Sequence, residues 1–291
     1  MVAEPVEQVL PTVDQIPLFG YPDRPLEFVH DMHLDERLSN EALAELADRL
    51  PRESVCFENS AQDLVVPECG PPRGALESPG DVIRNLDTAN AWMSLLNAEE
   101  DPAIAAFMMS VLDQLQPGIL ATQGKMRNRG AFFFIASPNS VTPVHIDIEF
   151  SLLLQFRGTK TVSFGRWGSD AVKRHEVNRY WEGSHGRIEA MPEEMVSFHL
   201  SPGQGVYIPP CTPHWVTYGP ETSMSVTLAY HTAASVRERR VEDFNSLARR
   251  VHLHPREPGR SSIVDSAKIG AMAIWAAGRK VRGAPRALGT K

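Results

Sequence analysis

Between residues 131 and 230 the chain sets out eight short runs rich in β-branched and aromatic residues, separated by turn residues. This pattern restricts the fold more than any other feature. The runs cover 131–136 (AFFFIA), 143–148 (PVHIDI), 150–156 (FSLLLQF), 160–164 (KTVSF), 195–200 (MVSFHL), 205–209 (GVYIP), 213–218 (PHWVTY) and 223–230 (SMSVTLAY). Each is too short and too β-branched for a helix. Eight such strands joined by glycine turns predict an antiparallel barrel, closed or nearly so, because closure leaves few exposed edges. The fold class expected is mainly β, a double-stranded β-helix with helical flanks. The polar stretch 165–194 interrupts the series and reads as a long insertion, of the kind that serves as a lid or binding loop.

The flanks read differently. Residues 1–25 are rich in Pro and acids and are expected to form an extended arm. Residues 39–50 predict a helix opened by Ser39 or Asn40 and stopped by Pro51, and the proline-studded 60–80 segment reads as loop. Residues 88–116 predict a helix in two pieces, broken near Asp101 and Pro102. The second piece is strongly apolar and is expected to pack on the barrel, with Met108 and Met109 as core filler. Two more helices are expected at 234–251 and 261–278, the latter with a stripe at Ile263, Ala267, Ala271, Ile274, Trp275 and Gly278. The division is thus a flank over 1–128, a barrel over 129–232 and a helical region over 233–291.

The formal charge of −7 argues against broad nucleic-acid binding. It is unevenly spread: residues 249–291 carry +8 and residues 1–248 carry −15. A basic tail of this kind suits an acidic partner or a membrane surface, or it faces the acidic body of its own chain. The cysteines Cys56, Cys69 and Cys211 are too few and too scattered for a disulfide framework, which suits a reducing compartment. The N-terminus lacks the pattern of a signal peptide, and the apolar stretch Ile269 to Gly278 is too short to span a bilayer. A cytoplasmic location is expected.

The chemistry concentrates in two segments, TPVHID at 142–147 and IPPCTPHWV at 208–216. One residue separates His145 from Asp147, so an extended chain turns both side chains to one face. His214 lies 69 residues later on a separate predicted strand. Two imidazoles and one carboxylate on one face of an octahedron leave positions open, the arrangement of non-haem Fe(II) oxygenases. Structural zinc prefers four closed ligands. By itself H-x-D is a weak motif, and an ordinary polar pair is its commonest explanation. The barrel context strengthens it.

Residues 131–231 resemble the JmjC or cupin-like branch of the 2-oxoglutarate oxygenases, the group containing protein asparaginyl and histidyl hydroxylases. The resemblance rests on T-P-x-H-x-D, on LLLQFRGTKTVSF and on GQGVYIPPCTPHWV. It implies an Fe(II) held by His145, Asp147 and His214, with 2-oxoglutarate and O2 as co-substrates. In the family's Q-x-x-G-x-K strand the lysine binds the distal carboxylate of 2-oxoglutarate, which falls on Lys160 here. Thr142 matches a hydroxyl beside that carboxylate. Ser151 matches a polar position that orients the proximal carboxylate. The family often has a tyrosine near residues 132–134, where this chain has phenylalanines, leaving that hydrogen bond without a donor. The implied reaction is decarboxylation of 2-oxoglutarate to succinate coupled to hydroxylation of a C–H bond.

Each of these residues has a plainer reading. Lys160 reads otherwise as a surface strand lysine, but a buried ammonium at the start of an apolar strand needs an anion, and a dicarboxylate supplies one. Thr142 reads equally as a turn residue before Pro143. His30 and His33 have helical metal-site spacing, yet lack a third partner and are expected in an exposed polar turn. His252 and His254 are expected at the surface. His175 and His185 lie in the insertion within reach of a substrate, His199 reads as structural, and His231 is expected near the mouth of the site.

Four functions compete: a hydroxylase of peptide or protein side chains, the same chemistry on a small molecule, a non-catalytic cupin scaffold, and a zinc or manganese isomerase. Asp147 in the second ligand position disfavours the last. The polar insertion and flanks favour the first. The C-terminal helices are also expected to offer a homodimer seam.

Overall fold

The computed structural model describes residues 24–59, 63–65, 78–184 and 186–281. The arm over 1–25 lies almost wholly outside these residues, as does most of the 60–80 loop. The eight expected strands all form: β4 (Arg127–Ala136), β5 (Val141–His145), β6 (Phe150–Arg157), β7 (Lys160–Arg166), β8 (Glu193–Leu200), β9 (Gln204–Ile208), β10 (His214–Tyr218) and β11 (Ser223–His231). Three more come from the N-terminal flank: β1 (Leu26–Val29), β2 (Val55–Asn59) and β3 (Ala91–Leu95). They pack as two antiparallel sheets, one ordered β1-β9-β6-β11-β4-β3-β2 and the other β5-β10-β7-β8. This is the double-stranded β-helix expected.

The alternation along β6 shows how the sheets divide their work. Phe150, Leu152, Leu154 and Phe156 belong to a core between the large sheet and the N-terminal helices, while Leu153 belongs to a second core inside the barrel. By the two-residue period of a strand, Ser151 and Gln155 share the inward face with Leu153. Both faces are covered, which is why β6 reads as a continuous apolar run. Phe133, fully buried in the outer core, illustrates the stake: truncating such a ring costs about 3–5 kcal/mol.

The outer core is capped by α1 (Asn40–Arg49), α2 (Pro79–Arg84) and α4 (Pro102–Gln123). Ser39 caps α1 by accepting from the Ala42 N–H, and the helix ends at Leu50, before Pro51. Asp101 caps α4, accepting from the Ala103 and Ile104 N–H groups, with Pro102 as first residue. Residues 102–120 of α4 are long and apolar enough to cross a membrane. One face of the helix, including Phe107, Met108, Val111 and Leu115, is spent on the core instead.

The two-piece helix expected over 88–116 is corrected. Its first piece stops with the short α3 (Leu86–Ala89), because Asn90 adopts a left-handed backbone (φ 47°), and the chain re-enters as β3. Met93 then lies opposite Ile135 of β4, both fully buried. Sheet pairing outweighs the local helical period there.

The insertion forms α5 (Asp170–Arg179), and the C-terminal region forms α6 (Ala233–Arg250) and α7 (Ser262–Val281). Part of the basic tail faces the acidic body. Arg249 pairs with Glu182 of the insertion at 3.0 Å and with Glu242 at 3.1 Å, while Glu257 makes a pair of reversed sign with Arg174 at 3.2 Å. The Lys268 ammonium is buried on Asn245 and the Arg256 carbonyl. The α7 stripe does not cap the barrel: Ile263 is 81% exposed and Ile274 77%.

Candidate metal centre and co-substrate pocket

His145 ends β5 and His214 opens β10, and the antiparallel register sets them directly opposite one another. Their ring centroids lie 4.1 Å apart. Asp147 follows two residues past His145, with its Oδ2 3.6 Å from His214 Nε2. One ligand atom from each of the three residues falls within 4.8 Å of the others, so the barrel brings the expected triad together.

The donors fit a metal cation. The Pro143 carbonyl lies 2.9 Å from His145 Nδ1, and the Thr212 carbonyl 3.0 Å from His214 Nδ1. A carbonyl accepts only from an N–H, so each imidazole keeps its proton on Nδ1 and offers the Nε2 lone pair. Burial pushes the His145 pKa well below its ordinary value, aided by the neighbouring His214 and the Arg187 guanidinium. Burial raises the Asp147 carboxyl, as does the Glu149 charge, against the opposing pull of His214 and Arg187. A divalent cation would relieve the cost of holding this carboxylate. Three ligands match an open site rather than a closed structural zinc site.

Further along the barrel interior, Lys160 lies opposite Tyr218 of β10, and Phe164 opposite His214. Four residues of strand separate the two positions, about 13 Å. That gap suits a short dicarboxylate between the metal and the lysine. Lys160 is 3% exposed, and its Nζ donates to Ser225 Oγ at 2.6 Å. No carboxylate ion-pairs with it among the described residues, and burial lowers its pKa from 10.5 to about 7. Lys160 is therefore no surface lysine. Thr142 is likewise buried, and its hydroxyl is 3.0 Å from the Tyr218 hydroxyl. Trp92 Nε1 donates to both, at 3.0 and 3.3 Å.

Sequence reasoning missed Tyr218 and Trp92. β10 places the Tyr218 phenol opposite Lys160 and beside Thr142. Tyr218 lies four residues past His214, an even spacing that puts it on the same inward face, and that signal was present in the sequence. Trp92 had none, because its strand was read as helix. Ser151 is buried on the inward face of β6, opposite Ile208 and Ala229.

The Q-x-x-G-x-K segment has a structural reason. Gln155 Nε2 donates to the Arg157 and Gly158 carbonyls, at 2.5 and 3.0 Å, closing the turn that presents Lys160. Gly158 sits at φ +63°, where an added Cβ would lie 2.2 Å from the Thr222 carbonyl oxygen. A cavity of about 320 Å³ next to this turn is lined by Lys160, Thr161, His199, Thr217 and Tyr218, among others.

The other histidines separate clearly. The exposed turn expected at His30 is corrected: the ring is buried, 3.1 Å from the Gln204 carbonyl, and burial lowers its pKa to about 4. It anchors the chain after β1 rather than a metal. His231 is also buried, 3.5 Å from Glu149, two residues past the triad carboxylate. His199 bonds Thr161 at 2.8 Å, and His252 and His254 are exposed. His175 is exposed on α5 beside Glu176 and Glu189, a second grouping of metal-ligand type. Arg179 already pairs with both glutamates, at 2.7 and 3.2 Å, so that grouping ties the insertion together. His185 lies outside the described residues.

The barrel is a double-stranded β-helix that brings two histidines and a carboxylate together. Solved structures share this fold. The chain is similar to the X-ray structure of Escherichia coli YcfD, with a TM-score of 0.53 at 16% identity, covering 94% of this chain and 69% of that one. A second structure, described as the Escherichia coli ribosomal oxygenase YcfD, gives 0.52 at 16% identity, over 93% and 67%. A third, of YcfD with cobalt and 2-oxoglutarate, gives 0.50 at 16%, over 88% and 64%. The chain thus spans about two thirds of the length of these structures, and at this identity the likeness is one of fold. No family model matches the chain, and no curated protein matches it.

Proposed function

We propose that the chain is an Fe(II)- and 2-oxoglutarate-dependent dioxygenase that hydroxylates a C–H bond in a peptide or protein side chain. One observation carries the reading. A triad offering two Nε2 lone pairs and a carboxylate shares a barrel interior with a buried lysine that has no carboxylate partner among the described residues. A scaffold has no need for a buried ammonium awaiting an anion.

His145, Asp147 and His214 would hold the iron, and Lys160, with the Thr142 and Tyr218 hydroxyls, would hold the distal carboxylate of 2-oxoglutarate. Ser151 is assigned to the proximal carboxylate. Bound iron and O2 supply oxidising power that no side chain has. The protein's own part is orientation and exclusion of water. The Nδ1–H···O=C bonds fix both imidazoles, and the apolar inner core walls off the site.

A protein substrate is favoured by the insertion, which packs against the triad strand through the Arg187–His145 bridge, and by the kind of substrate that the name ribosomal oxygenase implies for YcfD. The scattered cysteines Cys56, Cys69 and Cys211 favour a reducing, cytoplasmic setting. The exposed Ile263–Ile274 stripe supports a homodimer through α7.

The deciding experiment is aerobic incubation with Fe(II) and 2-oxoglutarate, measuring succinate with and without panels of peptides and free amino acids. Succinate stimulated by peptides is the expected result. Stimulation by amino acids alone turns the substrate into a small molecule. No metal-dependent succinate under any condition sinks the enzyme.

A further inference from the structure

Arg187 comes from the insertion, outside every motif that carries the functional reading, and it is 9% exposed. Its backbone forms an antiparallel bridge with His145. Around it the Ile146 N–H donates to the Gly186 carbonyl at 2.9 Å, and Arg187's own N–H donates to Ser184 at 3.0 Å. Gly186 permits this approach: its φ is +81°, and a Cβ there would lie 2.3 Å from the Ile146 oxygen. The guanidinium is therefore held in place rather than swinging in solvent.

Its Nη1 donates at 3.2 Å to the Pro143 carbonyl, the same oxygen that accepts from His145 Nδ1. Its charge reaches both His145 and Asp147. No carboxylate ion-pairs with it among the described residues. Glu149, the nearest acid in sequence to the triad, lies against His231 instead. A buried cation without a counter-ion is costly, and here it stands next to a site built for another cation.

We propose that Arg187 is a specificity-determining residue that makes the centre select an anionic co-ligand, disfavouring the bare metal and favouring metal plus carboxylate. The inference rests on the 2-oxoglutarate reading and adds a residue to it. Asp147, which makes no contact ion pair with the guanidinium, offsets its charge only at a distance. Once a divalent metal engages Asp147, the local charge is in surplus. A ligand carboxylate entering beside the metal restores the balance. Lys160 anchors the far end of the ligand, whereas Arg187 acts at the metal end.

The signature is a pair of effects of opposite sign, which a merely structural residue does not produce. Mn(II) binding alone and 2-oxoglutarate binding to the Mn(II)-loaded protein are measured by titration calorimetry for wild type, Arg187→Gln and Arg187→Lys. Arg187→Gln keeps a donor for Pro143 but removes the charge. It should bind Mn(II) about 3–10-fold more tightly and 2-oxoglutarate at least about 10-fold more weakly. Arg187→Lys restores the charge and should stay within about 3-fold of wild type on both measures. If the glutamine variant does not fold, the lysine variant still decides, because losing both affinities there overturns charge as the cause. Equal weakening of both by Arg187→Gln, or no change in either, overturns the inference while the functional reading stands. A wild-type protein that takes up Mn(II) but never 2-oxoglutarate overturns the functional reading, and the Arg187 inference with it.

Discussion

Replacing Lys160 with Met should stabilise the ligand-free protein while abolishing its co-substrate site. The ammonium is buried with one hydroxyl partner, Ser225, and burial depresses its pKa from 10.5 to about 7. A depression of that size corresponds to about 5 kcal/mol against the protonated form. Met fills nearly the same volume without the charge. It strands the Ser225 hydroxyl, at a cost of about 1 kcal/mol, and the wild-type site relaxes in part. The net gain expected is ~2–4 kcal/mol, a rise in Tm of about 3–7 °C for a chain this long. The pH dependence has a definite sign. Between pH 7 and 10.5 the unfolded lysine holds a proton that the folded one lacks, so wild-type stability climbs with pH across that window. The advantage of Lys160→Met is therefore full below pH 7 and shrinks as pH rises toward 10.5. Calorimetric melts of the metal-free proteins at pH 6, 7.5 and 9 test this, and 2-oxoglutarate titration of the Mn(II)-loaded forms tests the functional half. A lower Tm at pH 6, or a gain that grows with pH, refutes the reasoning.

Four further outcomes are expected. Asp147→Ala should weaken Mn(II) binding by at least about 100-fold and eliminate substrate-coupled succinate; full hydroxylation without added ligands would remove Asp147 from the triad. Tyr218→Phe should weaken 2-oxoglutarate about 3–10-fold through loss of one hydroxyl, read by titration, with Mn(II) binding unchanged. Gly158→Ala should cost about 2–4 kcal/mol in denaturant melts, because its φ of +63° and the Thr222 carbonyl leave no room for a methyl; an unchanged midpoint would contradict the turn geometry. The double change Ile263→Glu and Ile274→Glu should yield monomers in sedimentation with stability within about 0.5 kcal/mol of wild type, since both side chains are exposed; an unaltered mass would remove the α7 seam.

The barrel was legible because its strands are short, β-branched and punctuated by turns, a pattern that local sequence carries by itself. β3 was not, because Ala91–Leu95 gains its strand character from pairing with β4, some forty residues on. The triad was legible from one spacing and one distant histidine. Lys160 was legible as a candidate, and the structure buries it. Arg187 was not legible at all: the bridge that carries it to His145 spans a polar insertion with no hydrophobic period to register it. The α7 stripe was read correctly as a period, but period alone does not say whether a face meets the barrel or solvent.

The opposition of His145 and His214 would make the proposed metal centre a proofreader of assembly. The two imidazoles share no local segment, and they meet only when β5 and β10 zip in the observed register. A one-residue slip would turn His214 out of the barrel and leave half a site. The whole of β6 to β9, with the insertion, lies between them in the chain, so the two imidazoles depend on a long-range pairing. A metal held by both imidazoles would report that the two strands had been threaded in this register.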